Sequence, residues 1–227
     1  VNTARASLYN QIYSLKPNGG TPNREAVAFL GQQFRRTDKD APVQLACQRN
    51  GGMLFTDGYT NTSSSTSGFD NADSAGGTHF PGAPFADGYN NTIADVAAGY
   101  YAGSNFTPLR TGTAFPVGQV AVPKECDSLD KSTPAWKRLD CQTNLHMNFY
   151  GVTLGARGAI YDVDANATRD PFANPPNWNA AGNPRDSDGA ATIDEIWHAT
   201  LNSRGEFINA RTPADITEAM RRIILSV

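Results

Sequence analysis

No apolar run in this sequence approaches the roughly 20 residues a membrane-spanning helix needs. Charge is sparse and balanced. Lys and Arg number 19 against 22 Asp and Glu, giving a net charge of -3 and a pI near 5.6. Without a basic stripe, nucleic acid is excluded as the main partner. Three cysteines with no Cys-x-x-Cys spacing are too few for a disulfide framework and make no zinc knuckle. His79, His146 and His198 are too scattered to form a zinc triad. The start, Val1-Asn2-Thr3-Ala4-Arg5, has neither an initiator Met nor a signal-peptide pattern, so the chain is expected to be a processed or proteolysed piece of something longer.

The 227 residues suffice for one large domain, and 39% of them are hydrophobic. Gly (21) and Pro (14), with clusters of Ser, Thr and Asn, predict long loops rather than pervasive disorder. Met53 to Phe55 is a short apolar run that breaks at Thr56-Asp57-Gly58. It reads as a buried strand whose carboxyl end opens into a loop, the place where open α/β sheets bind ligands. The plainer reading of Asp57-Gly58 is a turn dipeptide.

Around this strand the periodicities alternate. Ala4, Leu8, Ile12 and Leu15 predict an amphipathic helix, ended by the breakers from Lys16 to Gly20. Thr21-Pro22 predicts a capped second helix with Ala26, Val27, Leu30 and Phe34 on its apolar face. Capping boxes are read at Thr92/Asp95, Thr192/Glu195 and Thr212/Asp215, each before a run with core spacing. Strands are predicted through Leu145–Leu154 and Glu206–Ala210. Strands alternating with helices imply a parallel α/β sheet, carrying insertions at about 61–91, 103–141 and 158–191. Only three strands are visible and the first reads as central, so the remaining strands are expected from elsewhere.

Several side chains admit two readings. Cys126 and Cys141 flank a polar segment and bridge in an oxidising compartment, leaving Cys47 over; otherwise all three are free thiols. Asp162, Asp164, Asn166, Thr168 and Asp170 have the oxygen spacing of a calcium loop, but Ala167 stands where that loop wants Gly and no Glu occupies position twelve; the alternative is a solvated acidic turn. Tyr59, Phe69, Phe80, Phe85 and Tyr89 either form a recognition surface or pin the first long loop. Cys47 as a thiol nucleophile is disfavoured, because it precedes the strand at the end away from Asp57.

Four segments, Gly19-Gly20-Thr21-Pro22, Phe55-Thr56-Asp57-Gly58, Tyr150-Gly151-Val152-Thr153-Leu154-Gly155 and Gly205-Glu206-Phe207, resemble the second half of a von Willebrand factor A domain. More narrowly, Ala46-Cys47-Gln48-Arg49-Asn50, Phe85-Ala86-Asp87 with Asn91-Thr92-Ile93-Ala94-Asp95-Val96-Ala97, Tyr100-Tyr101, and Ile193-Asp194-Glu195-Ile196-Trp197-His198-Ala199 with Asn202-Ser203-Arg204-Gly205 resemble the PilY-type proteins of type IV pilus tips. The resemblance spans nearly the whole chain. It implies a Rossmann-like von Willebrand A fold, helices on both faces of the sheet and amino-terminal strands missing from this chain. It also implies a metal-ion-dependent adhesion site for Mg²⁺ or Mn²⁺, with Thr21 and Asp57 as two of its ligands. The Asp-x-Ser-x-Ser loop of that site is absent, and one hydroxyl with one carboxylate holds a hard cation poorly. The implied role is non-enzymatic: adhesion and pilus biogenesis outside the cell, reached through the periplasm, with minor pilins and the rest of the tip protein as partners and the receptor undefined. Two rival readings are a structural or mechanosensing module with a vestigial metal site and a metal-dependent hydrolase. The hydrolase needs a three-ligand cluster, which the sequence does not display.

Overall fold

Three short segments build the sheet: β1 (Gly51–Thr56), β2 (Asn148–Thr153) and β3 (Phe207–Asn209). In the computed structural model, which describes residues 2–16, 19–61, 66–74, 77–103, 105–162, 170–186 and 188–226, they pair in parallel in the order β1-β2-β3. Gly51 lies opposite Asn148 and Thr56 opposite Thr153, so β1 and β2 end together on one rim. Helices α1 (Asn2–Ser14), α2 (Asn23–Phe34) and α3 (Ile93–Tyr101) precede β2, as do the single turns α4 (Glu125–Ser128) and α5 (Pro134–Lys137). A 3₁₀ turn (Trp178–Ala181) and α6 (Ala191–Asn202) follow β2, and α7 (Pro213–Ser226) follows β3.

Side-chain alternation along β2 assigns the two faces. Phe149 joins Leu54, Ile93, Val96, Tyr100, Ile196 and Ala199 in the main core, so α2, α3 and α6 cover one face. Tyr150 and Val152 pack with Ile208, Ala219 and Ile223, placing α7 on the other. Helices on both faces are therefore observed. Backbones approach closely at Gly205, where a Cβ would overlap the Phe149 carbonyl, and at Gly151, where it would strike Ile196.

The predicted burial of β1 is only half correct. Gly52, Leu54 and Thr56 are buried, but Met53 is 37% exposed and Phe55 48%. Those two lie opposite Tyr150 and Val152, on the face that α7 covers over β2 and β3 only. Among the described residues no strand lies beyond β1, so an apolar edge stands open beside the exposed Phe29 of α2. α1 does not cover it. Leu8, Ile12 and Leu15, the expected buried stripe, are exposed, as is every described side chain from Thr3 to Lys16.

Two predicted caps also fail. α2 has Pro22 in the N-cap position and no capping side chain, so Thr21 does not cap it. α6 begins one residue before Thr192 and has no side-chain cap, because Asp194 and Glu195 are drawn into tertiary bonds. The other two boxes form as read, at Thr92 with Asp95 and at Thr212 with Asp215.

The second insertion is pinned to β2 from both ends of a polar cluster. Cys126 and Cys141 form a disulfide with Cα atoms 5.6 Å apart, and Cys47 is a free, exposed thiol. Beside the bridge, Asp140 accepts from Tyr101 Oη (3.0 Å), His146 Nε2 (3.0 Å) and Asn148 Nδ2 (3.0 Å). Burial pushes this carboxyl up, but the bonds from His146, Asn148 and Tyr101 outweigh it and hold the pKa at about 2, below its ordinary 3.8. A depressed carboxylate stabilises the fold above its unfolded pKa and loses that contribution as pH falls through the folded one. The loss is expected between about pH 4 and pH 2. Asp140→Asn should lower stability at pH 6 by about 2 kcal/mol and flatten the acid limb of denaturant midpoint against pH. Identical limbs in the two proteins would refute the assignment.

Candidate functional site

At the rim, the loop leaving β1 carries Asp57, which is exposed, and then returns to the protein at Thr60 and Asn61. The Thr21 backbone N–H donates to Asn61 Oδ1, and Asn23 Nδ2 donates to Thr60 Oγ1 at 3.1 Å. Thr60 also accepts from the Asp188 backbone (2.8 Å) and donates its own N–H to Thr192 Oγ1 (3.4 Å). The entry to α2, the exit of β1 and the entry to α6 are thus tied into one rim, and Tyr59 Oη bonds the Arg157 carbonyl across it (3.2 Å). The fold brings the loops of Thr21 and Asp57 together through the bond from the Thr21 N–H to Asn61 Oδ1.

The calcium-loop residues fare differently. Asp164 and Asn166 lie outside the described residues. Asp162 faces Arg157 at 3.8 Å. Asp170 accepts from Arg138 (2.5 Å) and from the Phe172 N–H (3.0 Å), a salt bridge and turn cap of its own. Of the aromatics, Phe80 and Phe85 are buried and pin the first insertion against Tyr101, whereas Tyr59 stays exposed.

Beneath the rim lies a polar centre that the sequence reading did not anticipate. Every residue of α6 is buried, although six of its twelve are Thr, Asp, Glu, His or Asn. Glu195 receives Arg24 Nε (2.8 Å) and Nη2 (3.0 Å) in a bidentate pair, both side chains almost wholly inaccessible. Glu195 Oε1 also accepts the Ile93 N–H at 2.6 Å, fastening the start of α3, and Arg24 Nη2 donates to the Pro184 carbonyl. Asp194 gathers the N–H groups of Ala159 (2.7 Å), Ile160 (3.2 Å) and Tyr161 (2.7 Å), anchoring the third insertion. Ser203 Oγ accepts from the Phe149 N–H at 2.9 Å. Arg204 lies over the rings of Phe85 (4.2 Å) and Tyr101 (4.8 Å) and donates to the His79 carbonyl.

One turn beyond Glu195, the His198 Nε2–H donates to the Phe85 carbonyl (2.6 Å) and stands 3.4 Å from Asp73 Oδ2, while Nδ1 stands 3.3 Å from Asp87 Oδ2. Trp178 stacks on the imidazole at 4.1 Å. Asn202 Nδ2 donates to Asp73 Oδ2 at 2.6 Å. Burial, aided by Asp87, raises Asp73 to about 6, and burial beside Asp73 raises Asp95 to about 8. Burial alone would lower His198, but Asp87 and Asp73 outweigh it and the pKa rises. The signal was present in the sequence: Glu195, His198 and Asn202 recur at helical spacing, a polar stripe that reads as solvent-facing until the first insertion is folded over it.

Fold and centre together define an α/β domain of Rossmann-like type, a three-strand parallel sheet flanked by helices and locked by one polar-faced helix. No family model matches the chain, and no solved structure does. Curated relatives do match: the type IV pilus biogenesis factor PilY1 of Pseudomonas aeruginosa is 29% identical over 241 residues in strain PAO1, covering 97% of this chain and 20% of the relative. The PilY1 proteins of strains PAK and UCBPP-PA14 are 27% and 26% identical, again over 20% of their length. The chain is related to these PilY1 proteins over nearly all of its own length and spans about a fifth of theirs.

Removing one member of a buried ion pair strands the other charge and costs roughly 3–5 kcal/mol. Arg24→Met is therefore expected to destabilise the domain by about 3 kcal/mol or more in equilibrium unfolding. Adding Glu195→Gln, which keeps an acceptor for the Ile93 N–H, should recover part of that loss. A double variant as unstable as the sum of the two single variants would contradict this account.

Proposed function

We propose that this domain works in type IV pilus biogenesis and surface adhesion as part of a pilus tip protein, meeting partners through the rim on which β1 and β2 end. The observation that carries the reading is the relation to PilY1 across 97% of the chain. The open edge of β1 supports its finer form: a von Willebrand A-like sheet completed by further strands from the rest of the same tip protein, which would cover Met53 and Phe55. In that complete domain Thr21 and Asp57 hold Mg²⁺ or Mn²⁺ with ligands from the completing segment, and an open coordination position takes a carboxylate of a minor pilin or surface receptor. Binding is the whole of this role and needs no chemical step. The domain acts outside the cell, having passed through the periplasm; the Cys126–Cys141 bridge suits an oxidising compartment.

A structural reading has one observation in its favour: Asp57 belongs to no three-residue cluster of His, Cys, Asp and Glu among the described residues. Calorimetric titration of Mg²⁺ and Mn²⁺ into the full-length protein that carries this domain separates the two. Asp57→Ala should weaken the affinity at least tenfold and reduce attachment of piliated cells in parallel. Unchanged affinity and attachment would overturn the metal-dependent face and leave the structural module. A Ca²⁺ titration with Asp162→Asn and Asp170→Asn reads the calcium spacing in the same way; heat unaltered by both substitutions removes it.

A further inference from the structure

Asp73, Asp87 and His198 offer two carboxylate oxygens and a ring nitrogen that all lie within 4.8 Å of one another. None of this belongs to the rim: the residues come from the first insertion and the middle of α6. Three further observations point to a ligand. Asp73 is fully buried, yet its Oδ1 has no hydrogen-bond partner among the described residues, and the same holds for Oδ1 of the fully buried Asn202 bonded to it. A buried acceptor left without a partner is costly unless a cation or donor meets it.

The second observation concerns His198. Its Nε2–H is committed to the Phe85 carbonyl, which is how metal-ligating histidines fix their tautomer. That leaves Nδ1 facing Asp87 Oδ2 at 3.3 Å, a separation usual for neighbouring ligand atoms in one coordination shell. The third is space. A cavity of about 10 Å³ lies on the Asp87 and His198 side of the cluster, against Trp178, Asp194 and Glu195 and not against Asp73.

We propose that Asp73, Asp87 and His198 form an internal divalent-metal site that clamps the first insertion to α6. An imidazole with carboxylates suits a first-row transition ion such as Zn²⁺ or Mn²⁺ better than Ca²⁺ or Mg²⁺. The role is structural, because the site is buried beneath Trp178 and the Phe85 segment. It is independent of the rim metal proposed above.

The test is elemental analysis of the chain purified without chelator, followed by EDTA treatment, add-back of Zn²⁺ or Mn²⁺, and thermal melting. About one ion per chain is expected, with a fall in Tm of several degrees on chelation and recovery on add-back. Asp87→Asn, which keeps the side-chain shape, should reduce the stoichiometry to near zero and abolish the melting response, whereas Asp38→Asn, in an exposed pair with Arg36, should leave both intact. Because Asp87→Asn could destabilise for other reasons, the imidazole nitrogen shifts of His198 in the unsubstituted chain give a second readout: a neutral ring that changes on chelation supports the site. Absence of bound metal, no melting response to either ion at millimolar concentration, and an imidazolium spectrum unaffected by EDTA would overturn it and establish a proton-bridged His–Asp cluster instead.

Discussion

Glu195 makes three bonds at once, two to Arg24 of α2 and one to the Ile93 N–H that opens α3. That carboxylate is where the three helices on one side of the sheet are fixed relative to each other. A buried ion pair adds little net stability over apolar packing, but it strongly penalises any arrangement that separates its members. The pair therefore specifies register: α2 cannot slide along α6 without burying an unpaired guanidinium. Asp194, Ser203 and Arg204 extend the same logic to the third insertion, β2 and the first insertion.

This explains how so loop-rich a chain holds three long insertions in place. Apolar area alone would leave them weakly directed, since the hydrophobic effect is not directional. Here the first and third insertions present backbone groups or aromatic faces to polar side chains of α6 or its C-terminal turn, and the second is tied through Asp140 to Tyr101, His146 and Asn148. The segment Asp194 to Gly205 thus does for the fold what a disulfide framework does in smaller domains, while the Cys126–Cys141 bridge restrains the second insertion locally.

The same side of the sheet that is so tightly specified contrasts with the other. There α7 covers β2 and β3, and the edge of β1 stays bare. An apolar sheet edge is a liability that proteins cover or block, and this one carries the exposed Met53 and Phe55.

Local pattern determined a good deal. Alternation of strand and helix signals, with the Thr92 and Thr212 caps, was enough to read the parallel α/β class and the three strands, because backbone periodicity and capping are properties of neighbouring residues. The resemblance carried by Asp194 to Gly205 led to the PilY1 relation. What local pattern misjudged was decided at long range. Met53 and Phe55 read as buried, but burial depends on whether a helix lies over β1 on that face, and among the described residues none does. Thr192 to Glu195 read as a cap, but Arg24, 171 positions away in sequence, took the carboxylate. The His198 centre joins Asp73 and Asp87 from a loop more than a hundred residues earlier. Only the closed tertiary structure brings such side chains together, and only there does low solvent access make their charges matter.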